Sequence, residues 1–204
     1  MSGFEDAYIG LGANVGAARA TLEHAVAALR ALPGVSVNGV SGLFRTRPVG
    51  PVGQEDFLNA VAGLRVPGGA DPGVAALALL TALKGIEQAL GRQERERWGP
   101  REIDLDLLLF GPHRLRVERD PAARSDDPGK GDAQWLEVPH PLAAERAFVL
   151  APLADLVPDL RPPGWSLSVA RMLERARARE GPAAITHVAD WDAELGGWVA
   201  GPTS

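Results

Sequence analysis

The order of apolar patterns along the chain predicts an α+β domain on a βαββαβ core, an antiparallel sheet covered by helices, followed by extra C-terminal helices. Two observations carry this. Up to Gly111, segments of strand-like alternation and segments of helical period follow one another as strand, helix, strand, strand, helix, strand. The 204 residues are 46% hydrophobic and 23% charged, globular values for a chain long enough to bury a core of its own.

Residues 7–12, AYIGLG, are a short apolar run closed by Gly-Ala-Asn, a first strand ending in a turn. Gly10, Gly12 and Gly16 imitate a dinucleotide fingerprint, but their spacing is GxGxxxG and no acidic residue closes the following strand at the usual distance. Over 17–32, Leu22, Val26, Leu29 and Leu32 recur at helical spacing, and Pro33-Gly34 stops the helix. A second strand is expected over 35–44. Residues 45–54, RTRPVGPVGQ, are turn chemistry, pinned in shape by two prolines and two glycines.

A third strand over 56–66 puts Phe57, Asn59 and Val61 on one face and Leu58, Ala60 and Ala62 on the other. Asn59 is out of place there. A buried amide must be hydrogen-bonded, so it either satisfies the backbone or reads a ligand. The second helix, 71–90, has Asp71 as N-cap, Pro72 at its first position and Gly91 at its end. Beyond Gly111, residues 118–134 lack apolar period and are rich in Pro, Gly, Asp and Arg, which predicts an insertion or lid. Order resumes at 135–140; 141–156 begins a helix-like segment, and 166–179 forms an amphipathic helix. These patterns predict a ferredoxin-like domain over 1–183 and a tail of unknown role over 184–204, with His187 at its surface.

The formal net charge of -5 argues against a nucleic-acid binder. The absence of cysteine excludes disulfides, thiolate metal sites and a Cys nucleophile, and suits a reducing cytoplasm. No run of about 18 apolar residues occurs. A cytoplasmic monomer, working without membrane or nucleic acid, is expected.

One stretch, residues 92–111, is organised for chemistry rather than stability. It passes from an arginine-rich loop (Arg92, Arg95, Arg97, Arg101) through Trp-Gly-Pro into a strand opening with Asp104 and Asp106. Residues two apart share a face, so both carboxylates point one way while Ile103, Leu105 and Leu107 point the other. Oxygen-only ligands in a small cluster suit Mg2+, and guanidinium forks beside them suit a polyphosphate. The alternative is a surface strand whose acids pair with those arginines.

The chain resembles the 6-hydroxymethyl-7,8-dihydropterin pyrophosphokinases of folate biosynthesis. The resemblance is carried by YIGLGANVG (8–16), FRTRPVGPVGQEDFLNAV (44–61), IEQALGRQERERWGPREIDLDLLLFG (86–111) and VPHPLAAERAFVLAPL (138–153), which run over about three quarters of the chain. RWGPRxIDLD is the specific part. The family binds ATP and a pterin alcohol, moves the β,γ-diphosphate to the hydroxymethyl oxygen and releases AMP. The resemblance therefore implies that Asp104 and Asp106 hold a pair of Mg2+ ions and that Arg92 and Arg101 meet the phosphates. It places Glu87, Arg95, Arg97, Trp98, Leu107 (through its backbone), His140 and Arg146 around ATP. It gives the pterin to Phe57 and Phe148 as a sandwich, with Thr46, Val49 and Asn59 reading its edge.

Phe57 stands where many relatives have Tyr, Arg47 where a small residue or proline is common, and Pro141 where some have Tyr. The base that takes the hydroxyl proton is left open between Asp106 and water. Two other readings remain: a nucleotidyltransferase that uses the same acid pair to release diphosphate, and a non-catalytic sensor of ATP or pterin.

Overall fold

The chain is described by a computed structural model over residues 3–47, 55–93, 99–119 and 134–200. Strand β1 (Phe4–Ala13) buries Ala7, Ile9, Leu11 and Ala13 on one face. Helix α1 (Ala18–Arg30) buries Leu22, Ala25, Val26 and Leu29, the stripe a helical period produces.

Where the sequence predicts a single second strand over 35–44, there are two, β2 (Ser36–Val40) and β3 (Leu43–Thr46). The break has a local cause: Ser41 Oγ takes the Val61 N–H at 2.9 Å, and the Gly42 N–H turns to Asp155 Oδ2 at 3.1 Å. Arg45 and Thr46, predicted to open a loop, complete β3. Strand β4 (Phe57–Pro67) pairs along its length with β1 and, on its other side, with β2 and β3. Its faces divide as predicted, Ala60 and Ala62 into one core layer and Val61 into the other.

Helix α2 (Pro72–Ala89) is capped by Asp71, whose Oδ1 accepts the N–H groups of Gly73 and Val74 at 2.7 and 3.2 Å. Gly91, at φ +85°, provides the left-handed residue just past its end. In β5 (Asp104–Phe110) the pairing with β1 jumps from Leu107 to Leu109, leaving Leu108 as an extra residue. Leu105, Leu107 and Phe110 thus face one layer, and Leu108 and Leu109 the other.

The insertion predicted over 118–134 is flanked by the arms of a hairpin, β6 (Leu115–Glu118) and β7 (Trp135–Val138), closed by Arg119 N–H to the Gln134 carbonyl at 2.8 Å. Its remainder, 120–133, lies outside the described residues. Helix α3 (Ala147–Leu156) starts later than the sequence predicts, because 141–145 are turns held by bonds such as Ala143 N–H to the His140 carbonyl. Helix α4 (Val169–Glu180) forms where an amphipathic helix is predicted over 166–179, but begins after its N-cap Ser168.

The segment set apart as a tail is built into the sheet. Strands β8 (Ile185–Asp192) and β9 (Gly197–Val199) extend the edge beyond β3, and Trp198 is 1% exposed. The alternation that marks a strand is obscured because the register with β3 shifts between Leu43 and Phe44, so the buried positions of β8 are Ile185 and Ala189.

The main sheet runs β5-β1-β4-β3-β8-β9, with β2 beside β4. Its first four members, with a helix after β1 and after β4, make the predicted ferredoxin-like arrangement. Helices α1 and α2 pack on one face, α3 and α4 on the other. Strands β1 and β3 end where β4 and β5 begin, so Ala13, Thr46, Phe57 and Asp104 meet at one end of the sheet. Among the described residues no helix is long and apolar enough to cross a membrane.

Candidate active site

Asp104 and Asp106 project from β5 on the face opposite Ile103, Leu105 and Leu107, which are buried under α1 and α2. Both carboxylates stay partly exposed. Asp104 Oδ1 accepts from Arg92 Nη1 at 2.7 Å and Arg101 Nη1 at 2.9 Å. The pairing of acid with arginine is therefore present, but at Asp104 only: among the described residues no hydrogen bond or ion pair reaches the Asp106 carboxylate. Burial alone would raise the Asp104 carboxyl, yet the Arg101, Lys84 and Arg92 cations together hold it below the ordinary carboxylate range.

Behind this pair lies a buried charge network. Glu87, implied to stand near ATP, is 1% exposed and faces the protein instead. Its Oε1 receives Lys84 Nζ at 2.8 Å, Arg92 Nη1 at 2.5 Å and the Leu105 N–H at 2.6 Å. Lys84 Nζ also donates to the Leu105 carbonyl at 3.0 Å. β5 is a sheet edge, so these bonds satisfy the outward backbone groups of Leu105 and fix the strand carrying both acids. Burial pushes the Glu87 carboxyl up and the two cations offset part of that; three donors on one oxygen are the surroundings of a carboxylate. Lys84 escaped the sequence reading, although its placement three residues before Glu87 on a helix is a visible signal.

The acids and the third strand are not neighbours; β1 lies between them. Gly12 pairs with Asp104 on one side and Asn59 on the other, and Gly10 pairs with Asp106 and Val61. Directly paired residues share a face. A glycine floor about two strand spacings wide, ~10 Å, thus separates Asp104 from Asn59. A β-carbon at Gly12 would lie 3.5 Å from Asn59 Oδ1 and 4.0 Å from Asp104 Cβ. Of the glycines that imitate a dinucleotide motif, Gly12 leaves this trough without a side chain, whereas Gly10 lies against Leu108 and Gly16 turns the chain at φ +63°.

Asn59 is 7% exposed, and its Nδ2 donates to Thr46 Oγ1 at 2.9 Å, so it satisfies a side chain rather than the backbone. Phe57, beside Thr46 in register, remains partly exposed. Phe148, on the first turn of α3, is also partly exposed and lies under the Arg146 guanidinium at 5.5 Å. His140 bonds the Leu108 carbonyl of the β5 edge through its N–H at 2.9 Å, and its Nδ1 accepts the Leu142 N–H at 3.3 Å. The neutral ring then carries its proton on Nε2. The Leu107 side chain is core, leaving only its backbone for a ligand. Val49, Arg95, Arg97 and Trp98 lie outside the described residues.

Asn14 completes the site. It is 3% exposed and exchanges two bonds with Arg101, Arg101 N–H to Oδ1 at 2.7 Å and its own N–H to the Arg101 carbonyl at 3.0 Å. Its Nδ2 donates to the Glu55 carbonyl at 3.0 Å, tying the segments before β4 and β5 to the end of β1. Two hard oxygen donors, with no larger His, Cys, Asp or Glu group among the described residues, suit an ion that completes its shell with water and phosphate, as Mg2+ does.

The model of one protein family, described as 7,8-dihydro-6-hydroxymethylpterin-pyrophosphokinase, matches residues 8–158. A 2-amino-4-hydroxy-6-hydroxymethyldihydropteridine pyrophosphokinase of Pseudomonas aeruginosa is 42% identical over 156 residues, 76% of this chain and 83% of that protein. One of the same name from Methylorubrum extorquens is 40% identical over 154 residues, 76% of this chain and 84% of that protein. A crystal structure of wild-type Plasmodium falciparum HPPK-DHPS superposes with a TM-score of 0.69 over 93% of this chain and 49% of that one; at 14% identity it speaks for the fold alone.

Proposed function

Because the chain belongs to the 7,8-dihydro-6-hydroxymethylpterin-pyrophosphokinase family, and so performs pyrophosphoryl transfer to hydroxymethyldihydropterin in folate biosynthesis, we propose that ATP is the donor and that the trough over Gly12 is where the two substrates meet. The supporting observation is the row Asp104, Gly12, Asn59 across three paired strands. It joins a carboxylate and guanidinium cluster to an amide pocket with only backbone between.

In this reading Phe57 and Phe148 hold the flat pterin bicycle between their rings. Asn59, its amide oriented by Thr46, meets the heterocycle's donor and acceptor edge. The bare floor at Gly12 lets the hydroxymethyl group extend toward Asp104. Asp104 and Asp106 would hold Mg2+, which supplies charge neutralisation of the phosphates and makes the attacked phosphorus more electrophilic. Arg92 and Arg101, both now on Asp104, donate to phosphate oxygens, where charge grows as AMP departs. Glu87 keeps Arg92 anchored and, with Lys84, keeps β5 in place. His140 and Arg146 add donors at the phosphate side.

Incubating the pure protein with ATP, Mg2+ and the pterin alcohol is expected to release AMP. Release of diphosphate instead would mean attack at the α-phosphorus and a nucleotidyltransferase. Asp106→Asn is expected to lower turnover by about three orders of magnitude, typical of losing one preorganised electrostatic group, with pterin binding retained; near-normal turnover would reject the metal assignment.

A further inference from the structure

We propose that the β8–β9 hairpin, which lies beyond the residues that the family model matches, is a positioning element for the pterin pocket. It holds β3 in the register that brings Thr46 to Asn59. The inference rests on the reading of Thr46 and Asn59 as pterin contacts.

β3 has four residues. On one side Phe44 pairs with Asn59 and Thr46 with Phe57; on the other Phe44 pairs with His187 and Thr46 with Ile185. Each pair that places a pocket residue is therefore continued into β8. A strand this short, paired on one side only, leaves a row of backbone groups to water and frays readily.

Three contacts lock the hairpin against β3. The Trp198 indole N–H donates to the Ser41 carbonyl at 2.8 Å, at the break between β2 and β3. The Trp198 backbone N–H donates to Glu23 Oε1 of α1 at 3.1 Å, so the hairpin is also tied to a helix of the core. The His187 ring stands edge-on to Phe44, centroids 5.2 Å apart and planes at 77°, with its Nε2 3.0 Å from Asp190 Oδ1. Gly42 makes room for that ring: a β-carbon there would come within 2.5 Å of His187 Nε2. The fit between Gly42 and His187 is thus specific to a hairpin docked in this register.

The Asn59 amide takes its orientation from Thr46 Oγ1 at 2.9 Å. Loosening β3 therefore frees the amide that reads the pterin edge. The phosphate end is insulated, because β4 and β1 stand between β3 and β5 in the sheet.

The test uses the full chain with Trp198→Phe, which keeps a ring and removes the indole donor, and with His187→Ala and His187→Phe. Steady-state constants for both substrates are measured with the thermal midpoint. Trp198→Phe and His187→Ala are expected to raise KM for the pterin alcohol about three- to ten-fold, the net worth of one hydrogen bond. kcat and KM for ATP should stay within about two-fold, and His187→Phe should restore the pterin KM by restoring the ring contact. An unchanged pterin KM in folded variants, or a KM for ATP that rises in step, overturns the proposal. Asn59→Ala, measured alongside, separates the two layers. If it leaves the pterin KM unchanged, the pocket reading itself is wrong; if it raises that KM while the hairpin variants do not, only the hairpin's role is lost.

Discussion

Replacing Gly12 by alanine separates stability from activity. A methyl group there would touch Asn59 Oδ1 at 3.5 Å and Asp104 Cβ at 4.0 Å, both ordinary contacts, so the folded protein accepts it. Gly12 lies in an extended strand and does not need the left-handed region. Restricting the unfolded chain should then stabilise the protein by about 0.4–1 kcal/mol, which for a chain of this size raises Tm by about 1–4 °C. In the proposed reading the same methyl group stands in the floor that the hydroxymethyl group and the phosphates share. A displacement of ~1 Å between reacting atoms can cost about 100-fold, so kcat/KM should fall by one to two orders of magnitude, and further for the branched Gly12→Val. Thermal denaturation and AMP release, measured on the same preparations, read the two effects. Undiminished turnover in both variants would falsify the placement of the reactants over Gly12.

Arg101→Ala should lower kcat more than it weakens pterin affinity if, as proposed, its guanidinium meets the charge that develops on the phosphates; a loss confined to pterin affinity contradicts that role. Glu87→Ala removes the buried partner of two cations. Breaking a buried pair typically costs about 3–5 kcal/mol, discounted to about 2–3 kcal/mol because the side chains of Lys84 and Arg92 remain 32% and 21% exposed and can reach water. Chemical denaturation measures it, and a loss under about 1 kcal/mol means the network is not what holds β5. The Asp104 carboxyl is held below its ordinary value, so its contribution to stability is complete above about pH 3.9 and disappears as pH falls through the lowered value. Asp104→Asn should therefore flatten the acid side of the stability profile, and a profile parallel to wild type counts against the ion pairs.

The core elements were legible because each states its period locally. Leu22, Val26 and Leu29 mark a helix face wherever they occur, and Asp71-Pro72 announces a helix start whatever lies around it. The shared face of Asp104 and Asp106 follows from strand geometry alone. What the sequence could not convey depends on partners distant in the chain. Ser41 breaks a strand only because Val61 comes alongside, and β8 hides its alternation in a register shift against Leu43 and Phe44. Asn14 reads as a turn residue until Arg101 and Glu55 arrive. Glu87 is linked to ATP by likeness; that it is buried and bonded to Arg92 and the backbone of Leu105 becomes visible only once β5 lies beside α2.

The extra residue at Leu108 gives β5 two halves with independent phase. Upstream, the odd positions enter the layer under α1 and α2 and the acids look the other way; downstream, the parity is reversed and Phe110 enters that layer. Deleting Leu108 would leave Leu107, Leu109 and Phe110 alternating opposite Ile9, Tyr8 and Ala7, so the acids and Phe110 would keep their layers. What would be lost is the residue whose carbonyl takes the His140 N–H at 2.9 Å and whose side chain lies over Gly10. The supernumerary leucine thus fastens the His140 turn to the strand of the acids without altering which way they face.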